Sequence, residues 1–360
     1  MAEYKRIVVK IGSNVLTRAD GMPDTTRISS LTDQIAALHR AGIQVILVSS
    51  GAVACGRHAM RGSTIHIDSV SARQLYSAIG QVRLINRYYD LLGQWGIACG
   101  QVLTTKESFS TRRQYLNQRN CMEVMLSNGV IPIVNENDTI SVTELMFTDN
   151  DELSGLVCTM MDADALIILS NIDGIYDGNP ADASSSVIRR IGAGESVEKY
   201  ILSERSSSGR GGMGTKSRIS TKVAGEGTEV IIANGRRDGI LTDLVLSDKD
   251  VVCTRFEPSD KHASRIKRWI AHSEGFAKGE LHINRGACEA ILKSKAASIL
   301  PVGVTAAKGE FERDDIVRII GPDGRQIGVG RICADSGHVR DVIGKKGEKP
   351  LVHYDYMYID

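Results

Sequence analysis

The chain has 360 residues, 42% hydrophobic and 24% charged, with a formal net charge of +1; that length suits two domains with sizeable cores, and the charge balance leaves no electrostatic footprint for nucleic acid or an anionic membrane. Seven scattered cysteines without a CxxC pair argue against a zinc site or disulfide framework and point to a reducing, cytosolic setting. The opening M-A-E-Y-K-R lacks the apolar core of a signal peptide, and no apolar run approaches the length needed to cross a bilayer.

R-I-V-V-K-I, residues 6–11, reads as a buried strand that ends in the tight loop Gly12-Ser13. Ile28, Leu31, Ile35 and Leu38 follow at helical spacing, closed by Gly42. I-Q-V-I-L-V, residues 43–48, is a second strand, running into S-S-G-A. Helical sequence covers 69–92, then come a strand over 97–103, a helix over 112–126 and a strand over 130–134. A helix over 151–161 precedes the strand 165–169, and a helix from about Thr215 precedes the strand 229–233. Strands alternating with helices predict an α/β fold, a mostly parallel sheet sandwiched by helices. Ligands of such sheets bind at the carboxyl ends of strands. Polar residues gather there: Gly12-Ser13, Ser49-Ser50-Gly51, Asn135-Glu136-Asn137-Asp138 and Ser170-Asn171. After about residue 257 the pattern changes. A polar joint, including Arg265-Ile266-Lys267-Arg268, leads to short apolar runs split by Gly and Asp turns, the pattern of a small mostly-β domain. The expected division is an α/β domain over 1–257, a linker over 258–277 and the β domain over 278–360.

S-G-R-G-G-M-G-T-K, residues 208–216, has the look of a phosphate loop. The nucleotide-binding P-loop needs Gly-Lys followed by Ser or Thr, and here Thr215 stands in the lysine position, so that pattern fails. From these residues alone, a phosphate cradle and a mobile Gly/Ser linker stay equally open.

V-V-K-I-G-S-N-V-L-T, V-S-S-G-A-V-A-C-G-R, I-P-I-V-N-E-N-D, F-T-D-N-D-E-L-S and G-R-G-G-M-G-T-K occur in this order. Together they resemble the motifs of the amino acid kinase family, in its glutamate-phosphorylating form. The resemblance runs from about Tyr4 to the C-terminus. N-R-G-A-C-E-A-I-L and S-I-L-P-V-G-V-T-A-A-K-G-E-F resemble a PUA domain, a small β-barrel-like module. The resemblance implies a cytoplasmic enzyme, commonly a homo-oligomer, that phosphorylates the γ-carboxylate of L-glutamate from ATP, with Mg²⁺ carried on the ATP phosphates. That step would open proline biosynthesis, with proline as the inhibitor.

On this basis Lys10 and Lys216 would flank the transferring phosphoryl group, with Asp151 holding both ammonium groups. By residue type alone Lys10 is equally a solvated strand-end lysine, and Asp151 an acid at a helix N-terminus. Gly12, Ser13, Ser170, Asn171 and the loop Arg210, Gly211, Gly212, Met213, Gly214, Thr215 and Lys216 would contact ATP. Ser50, Gly51, Ala52, Asp138 and Asn150 would contact glutamate, Asp138 taking the α-ammonium group. Asn171 replaces a customary Asp, and Thr148 a customary Gly. A carboxylate is already ionised at neutral pH, so no general base is needed; the difficulty is bringing an anion to a polyphosphate, which calls for fixed cations and N–H donors. Basic and acidic side chains balance over 279–360, which favours a structural or regulatory role there over RNA binding. A kinase for aspartate, N-acetylglutamate or a nucleoside monophosphate, and an RNA-binding protein with a decayed kinase half, are the competing readings.

Overall fold

The β-branched run Arg6–Ile11 forms β1, with Ile7, Val8 and Val9 fully shielded from solvent. Chain order continues through α1 (Ser13–Leu16), α2 (Thr25–Arg40), β2 (Gln44–Ser49), α3 (Ala52–Ala59), α4 (Ser69–Gly93) and β3 (Cys99–Thr104). Next are α5 (Glu107–Ser110), α6 (Arg112–Ser127), β4 (Ile131–Glu136), α7 (Asn150–Met160) and β5 (Ala165–Ser170). The two-residue β6 (Arg190–Ile191), α8 (Met213–Gly225), β7 (Glu229–Asn234), α9 (Ile240–Val245) and β8 (Thr254–Phe256) follow. This computed structural model describes residues 4–62, 67–141, 147, 149–180, 182, 184–195, 197, 212–260, 269–270, 276–294 and 297–359. Among them, no helix is long and apolar enough to cross a membrane.

The chain divides into two compact units, one of residues 1–105 and 118–262, the other of 106–117 and 263–360. The first holds an eight-stranded sheet in the order β3-β4-β2-β1-β5-β7-β8-β6. Its pairings are parallel except β7 with β8. The α/β expectation is therefore met, with β8 and β6 at one sheet edge running against the other six strands. Periodicity misses β6, β8 and the short helices α1, α3, α5 and α9, which have too few residues to show a period. The strand expected from Ile97 begins at Cys99, because the amide of Ile97 still bonds the carbonyl of Leu92 (3.1 Å) behind the left-handed Gly96.

In the second unit β9 (Gly279–Ile283), α10 (Arg285–Lys293), β10 (Val304–Gly309), β11 (Ile316–Ile320), β12 (Gln326–Ile332), α11 (Ser336–Val342) and β13 (Val352–Ile359) succeed one another. The sheet order is β10-β9-β11-β12-β13. Leu281, Ile319, Ile332 and Val352 fill its core. The same unit includes Phe109 and Tyr115 from far upstream. The indole N–H of Trp269 donates to the carbonyl of Phe109 at 3.0 Å, Tyr115 lies 6.1 Å from the indole, and Arg112 sits over both rings. The joint residues Arg265, Ile266, Lys267 and Arg268 lie outside the described residues.

α4 begins at Asp68, whose carboxylate accepts the amides of Val70 and Ser71, a side-chain cap that meets amides left without helical partners. It crosses α3 at two glycines. A Cβ on Gly80 would lie 1.8 Å from the carbonyl oxygen of Ala52, and one on Gly56 1.8 Å from that of Tyr76. No side chain at either position fits without separating the helices. Gly80→Ala is therefore expected to destabilise the chain by about 1–3 kcal/mol through overpacking, seen as a lower urea midpoint; an unchanged midpoint would show that the crossing has room to spare.

Candidate active site

The parallel sheet sends the carboxyl ends of β1, β2, β4 and β5 to one side, where a cleft of roughly 1070 Å³ opens. Lys10, next to last in β1, pairs with Val48 and Ile168 on its neighbours, so its backbone is fixed from both sides. Its ammonium group lies 2.5 Å from Oδ1 of Asp151, and Lys216 from the first turn of α8 reaches Oδ2 at 3.0 Å. Asp151 is 1% exposed. Burial works to raise its pKa, but the two lysines outweigh burial and hold it below the ordinary carboxylate range. α7 sets the position of Asp151: the Asp149 carboxylate caps the helix by accepting the amides of Asp151 and Glu152. Burial, then the charge of Asp151, pushes Asp149 up to about 6.

Two further helix N-termini line the same cleft. Gly51, at φ +106°, turns the chain from β2 into α3, and Gly212 turns it into α8; neither helix has a side-chain cap. Their leading amides give the cleft a positive partial charge suited to an anion. Gly12 bonds the carbonyl of Leu169 through its amide (3.1 Å), and Ser13 follows it along the wall. Ala52, Ser170, Asn171 and Met213 also line the cleft, whereas Gly214 and Thr215 sit in the first turn of α8 away from it. Arg210, Gly211 and Thr148 lie outside the described residues.

Beside the lysine pair a chain of amide and hydroxyl contacts runs across the strand ends. The Asn150 side-chain amide donates to Oγ of Ser50 (2.8 Å) and to Oδ1 of Asn135 (3.0 Å), and the Asn135 amide donates to Gln81 (2.9 Å). Asp138 stands beside this chain, but it is paired: the guanidinium of Arg73, on the first turns of α4, bonds it and also lies 3.0 Å from Glu136. Ser77 donates to Asp138 at 3.4 Å. The expected substrate residues Ser50, Gly51, Ala52, Asp138 and Asn150 thus share one cleft with Lys10, Asp151 and Lys216.

Residues 5–234 match the amino acid kinase family, and 279–354 match the PUA domain. A glutamate 5-kinase of Bacteroides thetaiotaomicron is 63% identical over 99% of both chains, and one of Chlorobaculum tepidum is 46% identical over 99% of this chain and 98% of its own. The chain belongs to the amino acid kinase family. Within it the chain stands among the glutamate 5-kinases, and it is a kinase with a PUA domain. Solved structures agree on the fold. Carbamate kinase from Giardia lamblia bound to AMP-PNP matches 72% of this chain and 100% of its own at TM-score 0.52 and 18% identity. Isopentenyl phosphate kinase matches 70% and 99% at TM-score 0.50 and 19% identity.

Among the cleft residues of this amino acid kinase that sequence did not single out are two arginines. Arg236, after β7, donates to the carbonyl of Asn14 at 2.9 Å. Arg73 is the other. One signal was available: Arg73, Ser77 and Gln81 recur every four residues along α4, placing three polar groups on one stripe.

Burial, then the charge of Asp138, pushes Glu136 up to about 7 despite Arg73. The folded kinase therefore favours the protonated form. The associated stability is fully present below the unfolded value of 4.5 and is lost as pH rises through about 7. Glu136→Gln keeps the neutral shape at every pH. It is expected to stabilise the kinase by about 2–3 kcal/mol near pH 8 and to give no gain near pH 4.5, measured by urea unfolding. Equal midpoints for variant and parent near pH 8 would contradict this.

Proposed function

We propose that this kinase transfers the γ-phosphoryl group of ATP to the side-chain carboxylate of L-glutamate, forming L-glutamyl 5-phosphate in the first step of proline biosynthesis. The carrying observation is the buried Asp151, which holds Lys10 and Lys216 together in a cleft that is also lined by Ser50, Asn150 and Asp138. The glutamate 5-kinases that match along almost the whole chain support the choice of substrate.

The nucleophile arrives ionised, so the chain supplies cations and N–H donors rather than a base. Lys10 and Lys216 meet the charge that grows on the transferring oxygens, and Asp151 keeps their spacing while leaving the group net positive. The uncapped start of α8 fits the ATP phosphates, as does the glycine backbone at Gly12 and Gly212. Mg²⁺ enters on those phosphates and offsets their charge. Ser170 and Asn171 lie where the nucleotide would pass. Asn keeps an acceptor and adds donors relative to Asp, so contact is retained. Ser50 and Asn150 orient the carboxylate end of glutamate, and Asp138 takes its ammonium group.

Proline presents the same α-ammonium and α-carboxylate pair, which supports it as a feedback inhibitor. Exposed Val82 and Tyr89 on α4 support a homo-oligomer. A cytoplasmic location fits the seven thiols. The PUA domain serves structure or regulation in this reading; its balanced charge does not favour RNA.

Hydroxylamine traps an acyl phosphate as a hydroxamate but leaves a phosphate ester intact. Glutamate- and ATP-dependent hydroxamate is expected; ADP release on glutamate without hydroxamate would refute the reaction. Lys216→Ala is expected to lower kcat by about 10²–10³ with little change in glutamate KM, as for a contact made mainly in the transition state. A variant with near-normal kcat would remove Lys216 from the chemistry.

A chain ending near residue 257 keeps every residue assigned to ATP and glutamate. It is expected to retain glutamate-dependent ADP release, with a lower melting temperature because Phe109 and Tyr115 lose Trp269. A folded truncation, checked by circular dichroism, without turnover at saturating substrates would show that chemistry and the C-terminal part are not separable.

A further inference from the structure

The cleft also holds an ion pair to which the proposed phosphoryl transfer assigns no part. Arg73 projects from the first turns of α4 and bonds Asp138 and Glu136, both at least nine-tenths buried. Its own side chain is 21% exposed, and it lines the cleft. The turn holding Asp138 is clasped to the same helix stripe: Gln74 donates to the carbonyl of Thr139 at 2.9 Å, and Ser77 to Asp138 at 3.4 Å. Guanidinium and acceptor turn are thus held on one rigid frame.

We propose that Arg73 reads the α-carboxylate of the substrate, giving up its hold on Asp138 to the incoming α-ammonium group and turning its fork to the carboxylate on the same carbon. The inference rests on the glutamate reading above and names the group that would recognise the backbone end of that substrate. Charge conservation carries it. An α-amino acid has a cation and an anion one carbon apart. Inserted between Asp138 and Arg73, it replaces one internal ion pair by two, Asp138 with ammonium and Arg73 with carboxylate. A ligand without the α-carboxylate takes Asp138 but brings no anion to Arg73. Such a ligand exchanges one ion pair for another and gains none, and the planar fork of arginine suits a carboxylate in a way a lysine does not. The lysines are engaged by Asp151 and serve the γ-carboxylate end, so the two ends of glutamate are read by separate cations.

L-isoglutamine, the α-amide of glutamate, keeps the γ-carboxylate and the ammonium group but removes the α charge. The test compares KM for L-glutamate with KM for L-isoglutamine, or with its inhibition constant against glutamate where its turnover is slow. The parent enzyme is expected to favour glutamate by about 10- to 100-fold, the range of a charged hydrogen-bonded contact. Arg73→Met is expected to bring that ratio close to one, and Arg73→Lys to keep part of it, with KM for ATP unchanged in both. Losses caused by disturbing Asp138 or Glu136 fall on both ligands and cancel in the ratio. An Arg73→Met enzyme with the parent's ratio would overturn the proposal and leave Arg73 as a counter-charge for its two carboxylates. A parent enzyme that binds isoglutamine as well as glutamate would overturn it without any variant. Absence of all glutamate turnover in the parent would instead remove the underlying reading.

Discussion

One buried carboxylate sets the geometry of the lysine pair at the strand ends. Two ammonium groups brought together at the end of a sheet would repel each other and lose hydration; Asp151 makes their proximity affordable by bridging both. A buried charge of this kind is tolerated only when fully paired, and the pairing ties together three elements distant in sequence: the end of β1, the start of α7 and the first turn of α8. The sheet core, the Asp149 cap and the glycine entry to α8 can each be understood as bringing one of these three to the meeting point. The group as a whole stays positive by one charge, which is the useful remainder when an anion must approach a polyphosphate.

Another part of the cleft repeats the arrangement with signs reversed. There one guanidinium serves two carboxylates, and burial leaves Glu136 titrating near neutrality. The cleft is consequently charged unevenly, positive at the strand-end lysines and with Arg73 offset by carboxylates at the α4 side. That polarity depends on how closely α4 approaches α3. Only glycine at positions 56 and 80 lets the helix backbones meet, and that contact brings the stripe of Arg73, Ser77 and Gln81 over the ends of the strands. A packing detail of two residues lacking side chains thus helps to place Arg73 in the cleft lining.

The sheet was legible in the sequence because its strands are buried on both faces and read as unbroken apolar runs, such as Ile7 to Val9 and Leu166 to Leu169. The strand β8 was not, since its three residues Thr254 to Phe256 owe their extended form to pairing with β7 rather than to local pattern. At the site, Lys10, Asp151 and Lys216 were assigned through family motifs; no spacing rule predicts that residues 10, 151 and 216 meet. The hydrogen-bond chain of Ser50, Asn150 and Asn135 is of the same kind. Arg73 escaped notice because an arginine on a long helix usually faces water, and only the fold reveals that this face of α4 covers the cleft.

The packing of Trp269 on Phe109 and Tyr115 bears on the order of synthesis. Residues 106–117 interrupt the first unit in sequence but complete the second in space. A ribosome makes Phe109 about 160 residues before it makes Trp269, a lag of roughly 8–32 s at ordinary elongation rates. Throughout that interval the emerging chain carries a segment whose aromatic partner does not yet exist. The first unit must therefore close its sheet around an unfinished excursion, and the final docking of that excursion waits for the C-terminal third of the polypeptide. In this chain, translation imposes a sequence of events that refolding from denaturant does not, and the two routes to the same native state begin from different sets of available contacts.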